Sequence, residues 1–110
     1  MIQPQNKVEK IILGIDPGTM YMGYGVISVV GTKMKFIDMG ILDLKKEGDT
    51  YMKLKKVYDF TIALIDKFLP DEFAIEAQFF GKNVQSMLKL GRAQGVAIVA
   101  AMERDIPIAE

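Results

Sequence analysis

The chain contains no cysteine and no histidine. Without cysteine there is no disulfide framework, no thiolate zinc site and no cysteine nucleophile. Without histidine, imidazole base catalysis and imidazole metal ligation are excluded as well. Any metal is therefore a hard cation held by oxygen atoms. A charge bias is also lacking: 14 basic residues balance 14 acidic ones, so contact with nucleic acid needs a local basic patch and not a global field. No apolar run is long enough to span a bilayer. The opening MIQPQNKVEK is polar and broken by Pro4, unlike a secretory leader. The expected setting is the cytoplasm, with no membrane partner.

What is present is ordinary for a small globular protein. Half of the 110 residues are apolar, enough for one core and one domain spanning residues 1–110, with residues 1–8 as a flexible tail. IILGID (11–16) reads as a strand covered on both faces. It is closed by DPGT, whose Pro17-Gly18 pair predicts a type II turn. The alternation of Tyr24, Val26, Ser28 and Val30 against Gly25, Ile27 and Val29 suits a second strand, and KMKFIDMGILDL (33–44) a third. Short turns between the three predict an antiparallel meander.

The period then changes to that of a helix. Leu54, Val57, Tyr58, Thr61, Ile65 and Phe68 share a face, with Asp49 or Thr50 as N-cap and Pro70 as the stop. EFAIE (72–76) is a fourth strand, and IPIAE (106–110) begins a fifth. Between them, a helix from about Asn83 to Glu103 carries a stripe of Val84, Met87, Leu88, Gly91, Gly95, Ile98, Val99 and Met102. Leu90, Ala97 and Ala101 add a second small or apolar face, as in a helix buried on more than one side. Two readings of Gly91 and Gly95 stay open: tight packing on the chain's own sheet, or a subunit interface. The order β-β-β-α-β-α-β describes an α/β mixed sheet.

Asp16 and Glu76 occupy equivalent places in this plan, each closing an apolar strand and each followed by a loop. If strands one and four run parallel as neighbours, both carboxylates project beyond their carboxyl ends, where α/β sheets bind ligands. Two such charges repel unless a cation lies between them. A carboxylate cluster holding two Mg²⁺ ions is a recurring way to cleave phosphodiesters and needs neither histidine nor cysteine. The bland alternatives are that Asp16 opens a turn and that Glu76 caps the next segment. Taken singly, either residue is explained that way; as a pair they point to a metal site.

In the stretch FAIEAQFFGKN, Phe79 and Phe80 sit in a loop, where an exposed ring can stack on a base. Lys82, Lys89 and Arg92 could neutralise phosphates, and the helix start at Asn83 offers N–H groups to an anion. The bland alternative is that one phenylalanine folds back on the sheet and the basic residues form a solvated face.

ILGIDPGTMYMGYGVI and FAIEAQFFGKNVQSMLKLGRAQGVAIVAA resemble the RuvC family of crossover (Holliday) junction endodeoxyribonucleases over roughly residues 11–110. The resemblance implies a ribonuclease H-like fold, with Asp16 and Glu76 as catalytic metal ligands and Phe79 as the aromatic that contacts the junction. It further implies Mg²⁺-dependent nicking of two opposed strands of four-way junction DNA, a homodimer formed through the second helix, and a branch-migration motor complex as partner. Family members continue into a C-terminal helix with further acidic ligands. Against that pattern the chain reads as an N-terminal portion, inert as it stands and with one sheet face uncovered. Asp105 and Glu110 do not take the missing ligands' place. Three alternatives are a non-catalytic DNA-binding or dimerising remnant, an actin- or sugar-kinase-type ATPase, and a ribonuclease H-like nuclease acting on other substrates.

Overall fold

The structure is a computed structural model that describes residues 8–76 and 83–109. Its elements are β1 (Glu9–Asp16), β2 (Tyr21–Val30), β3 (Lys33–Asp43), α1 (Thr50–Phe68), β4 (Glu72–Ile75), α2 (Val84–Glu103) and β5 (Ile108–Ala109). They form one five-stranded sheet in the order β3-β2-β1-β4-β5. The first three strands make the expected antiparallel meander. β4 lies parallel to β1, and β5 parallel to β4. The tail expected at residues 1–8 falls almost wholly outside the described residues.

Alternation along the strands sorts the sheet into two faces. Leu13 and Ile15 of β1, Met22 and Val26 of β2, and Phe73 and Ile75 of β4 point to one side, where they pack with Val57, Leu64 and Ile65 of α1 and Ala97 and Ala101 of α2. Phe73 is fully buried at the centre, in register with Leu13 on one side and Ile108 on the other. The buried Thr61 hydroxyl donates to the Val57 carbonyl at 2.7 Å, which removes the cost of placing it there.

The opposite face is open among the described residues. β3 contributes Met34, Phe36, Met39 and Ile41 to it, each between 63 and 71 % exposed. These four fall at mixed parity in the sequence. A register shift opposite Val26/Ile27 carries the strand past Ile37 and brings all four to one side.

Both helices begin as predicted. Asp49 caps α1 by accepting from the Tyr51 N–H at 2.7 Å, and Asn83 caps α2 by accepting from the Ser86 N–H at 2.9 Å. α1 ends on Leu69 in the left-handed region (φ 48°), whose N–H reaches the Ile65 carbonyl, just before Pro70.

Two expectations change. Gly18 does not adopt a positive φ, so DPGT is not a type II turn. Glycine is needed there for a different reason: a Cβ would run into the Tyr21 backbone carbonyl. On α2 the buried residues are Ala93, Ala97, Ala100 and Ala101. Most of the larger stripe, Val84, Met87, Leu88, Val99 and Met102, is exposed. Among the described residues a Cβ at Gly91 or Gly95 would meet nothing within 4 Å, so these glycines do not serve packing on the described sheet.

Candidate active site

β1 and β4 remain paired through Ile15 and Ile75. Asp16 and Glu76 are the next residues on each strand, side by side where the two part. Adjacent strands lie about 4.8 Å apart, so the two carboxyl groups share one end of the sheet. Ile15 and Ile75 turn inward to the core, and parity sends Asp16 and Glu76 to the open face, both exposed. The expectation that strands one and four are parallel neighbours is met.

Both acids line one trough of about 530 Å³ on that face. Its floor is Gly14, Gly23, Gly25 and Ala74, and Met39 and Ile41 of β3 border it. The floor residues are small, so the backbone itself forms the surface and a bulky ligand can lie against it. Gly23 pairs with Asp16, and a Cβ there would stand 3.8 Å from the Asp16 Cβ.

The ends of the two strands are held by further contacts. Gln94 of α2 donates from Nε2 to the Glu76 carbonyl oxygen at 3.2 Å, fixing the chain where β4 stops. The Leu44 N–H donates to the Met20 carbonyl at 2.8 Å and closes the turn after Asp16 onto the end of β3. Gln94 was not singled out in the sequence. A glutamine mid-helix carries no motif, and only the fold brings it to residue 76.

Tyr24 and Gly40 also line the trough; the Tyr24 hydroxyl donates to Asp38 at 2.9 Å and its ring packs edge-on against Phe60. The hydrogen bond to Asp38 raises the Tyr24 pKa above its ordinary value. A Cβ at Gly40 would come within 2.7 Å of this ring, so Gly40 is fitted to it.

The other residues singled out in the sequence separate into groups. Phe79 and Lys82 lie outside the described residues. Asn83 spends its side chain on capping α2. Lys89 and Arg92 are exposed on the first half of α2, bordering a second cavity on the helix side of the sheet and not the trough. Asp105 sits after α2 with a positive φ of 55°, away from both trough-lining acids. Among the described residues no group of three or more Asp, Glu, His or Cys comes together as a metal site. No helix among them is long and apolar enough to cross a membrane.

A family model described as crossover junction endodeoxyribonuclease RuvC matches residues 12–110. A crossover junction endodeoxyribonuclease RuvC from Bacteroides fragilis is 64% identical over 110 residues, all of this chain and 57% of that protein. The chain spans about half the length of the curated relatives it matches, 54 to 57% in three of them. Among solved structures, Thermus thermophilus RuvC aligns with a TM-score of 0.78 at 27% identity, over 89% of this chain and 61% of that one. The same organism's RuvC in complex with a Holliday junction substrate aligns with a TM-score of 0.80 at 24% identity, over 90% of this chain and 62% of that one. The mixed five-stranded sheet with its two helices is thus the ribonuclease H-like fold of these neighbours, present here in part.

Proposed function

The chain belongs to the RuvC family of crossover junction endodeoxyribonucleases, and from that membership we propose that it is part of a Mg²⁺-dependent nuclease that nicks two opposed strands of a four-way DNA junction in homologous recombination and repair. The observation that carries this reading is the pair Asp16 and Glu76, brought to the ends of adjacent parallel strands above a trough floored by glycine and alanine.

Two hard carboxylate donors suit oxygen-seeking divalent cations such as Mg²⁺ and Mn²⁺. Asp16 and Glu76 would hold such an ion, which would supply activation of a water and charge stabilisation at the phosphodiester. Asp16 and Glu76 are assigned as the metal-holding and catalytic pair. Gln94 holds the Glu76 backbone in place through its 3.2 Å hydrogen bond, and the trough floor leaves room for a sugar–phosphate strand. A cluster for two ions needs further carboxylates, and no third acid joins the pair among the described residues. The 110-residue chain alone is therefore expected to bind junctions without nicking them.

Phe79, Lys82, Lys89 and Arg92 are assigned as DNA contacts, with Asn83 contributing through the helix start that it caps. The exposed stripe of α2, with Gly91 and Gly95 open to approach, is the proposed homodimer seat. Junction DNA and a branch-migration motor complex are the proposed partners. Residues 1–110 act as a single domain in this reading.

The test is a labelled, immobile four-way junction incubated with the chain and with its Glu76→Gln variant, with and without Mg²⁺. Junction-selective binding that survives Glu76→Gln is expected. Paired metal-dependent nicks lost in the variant would mean that these two carboxylates suffice. Equal affinity for a plain duplex would contradict junction selectivity.

A further inference from the structure

At the same end of the sheet as Asp16, but on its helix side, a cavity of about 290 Å³ opens between the β1–β2 turn, the start of α1 and the first half of α2. Its floor is apolar. Its rim carries Lys53 from α1, Lys89 and Arg92 from α2, and the hydroxyls of Thr19, Thr50 and Ser86. No aspartate or glutamate lines it among the described residues. Elsewhere on α1, Lys55 pairs with Asp59 at 2.8 Å and Lys56 with Glu47 at 3.5 Å, while Lys67 lies over the Phe68 ring. Lys53, Lys89 and Arg92 enter no ion pair among the described residues.

Three uncompensated cations around one concavity is unfavourable for a chain of zero formal net charge, because low-dielectric walls strengthen their mutual repulsion. An anion in the cavity reverses the sign of that interaction. We propose that this cavity seats a phosphate group, with Arg92 as the forked donor, Lys53 and Lys89 as point charges, and the three hydroxyls as further donors. Guanidinium and ammonium groups together with hydroxyls are the donors that phosphate oxygens accept from. The floor is apolar, so the seat is shaped for a phosphate that brings a less polar attachment with it, such as a sugar. A backbone phosphate of a nucleic-acid strand has that chemistry. That source rests on the nuclease reading; the anion seat itself does not. The trough and the cavity flank the Pro17–Met20 turn on opposite faces of the sheet, so a strand crossing that turn passes from one to the other.

The test is an amide chemical-shift titration of the chain with inorganic phosphate, against chloride at equal ionic strength. Saturable shifts at Thr19, Met20, Lys53 and Ser86 are expected with phosphate and not with chloride. In a Lys53→Gln, Arg92→Gln double variant, affinity should fall about tenfold or more. Lys56→Gln, outside the cavity, should leave it unchanged. Equal shifts with chloride, or undiminished shifts in a double variant whose spectrum stays dispersed, would overturn the seat. In a second arm, the salt dependence of binding to an oligonucleotide should lose about one unit of slope in Lys53→Gln. Phosphate shifts without that change would keep the seat and overturn the strand as its source. Phosphate shifts in a chain that binds no DNA at all would refute the nuclease reading and leave the seat standing.

Discussion

Replacing Gly91 or Gly95 by alanine should stabilise the monomer and weaken its self-association. Both glycines lie inside α2, where glycine is less favourable than alanine by about 0.8–1.0 kcal/mol because of the backbone freedom lost. The gain normally depends on whether the new methyl fits. Here an added Cβ at either position meets no atom of the described residues within 4 Å, so none of them opposes it sterically. Each substitution should contribute about 1 kcal/mol, which for a domain of this size raises the melting temperature by about 4–8 °C. The effect on association has the opposite sign. If two copies of α2 approach each other through this face, the methyl groups hold the backbones apart. Urea denaturation at low concentration reports the first effect and sedimentation velocity at high concentration the second. A lower urea midpoint in either single variant would refute the reasoning, since the glycines would then be packed within their own chain. An unchanged association constant would remove this face from the dimer.

Gly18→Ala should have the reverse effect on stability. Its Cβ meets a backbone carbonyl that cannot rotate away, so a loss of about 1–3 kcal/mol is expected from urea midpoints. Phe73→Ala empties the most central buried site and should cost about 3–5 kcal/mol in the same assay. Asn83→Ala removes the α2 cap and should cost about 1 kcal/mol, with amide exchange rising first at Ser86. The Arg104 guanidinium, through a side-chain hydrogen bond, holds the Asp66 carboxyl below its ordinary range. A lowered folded pKa gives stability that is present above the unfolded value and lost as pH falls through the folded one. Urea midpoints of wild type and Asp66→Asn should therefore differ at neutral pH and converge in acid.

The sheet was legible in the sequence because strand periodicity, turn residues and caps agreed at each step. The meander, the caps at Asp49 and Asn83 and the adjacency of Asp16 to Glu76 all follow from local signals and one topological rule. Where local signals were ambiguous, the reading failed. Pro17-Gly18 suggests a type II turn by propensity, yet the position selects glycine for the close approach of the Tyr21 carbonyl, which no local pattern reveals. α2 is apolar or small on more than one face, so periodicity does not say which of them is buried. Alanine wins because small side chains let the helix sit close to α1 and the sheet. Nothing in the sequence groups Lys53 with Lys89 and Arg92. It lies on another helix, and only the packing of α1 against α2 brings the three to one rim. The link from Gln94 to Glu76 is likewise made only by the fold.

The central claim is that Asp16 and Glu76 hold one divalent cation between them. Paramagnetic Mn²⁺, added in small amounts to the isotope-labelled chain, broadens the amides nearest to where it binds. Broadening centred on Ile15, Asp16, Gly23, Ile75 and Glu76, displaced by Mg²⁺ and lost in both Asp16→Asn and Glu76→Gln, is the predicted result. Broadening centred elsewhere on the chain, or surviving at the trough in both single variants, would contradict it.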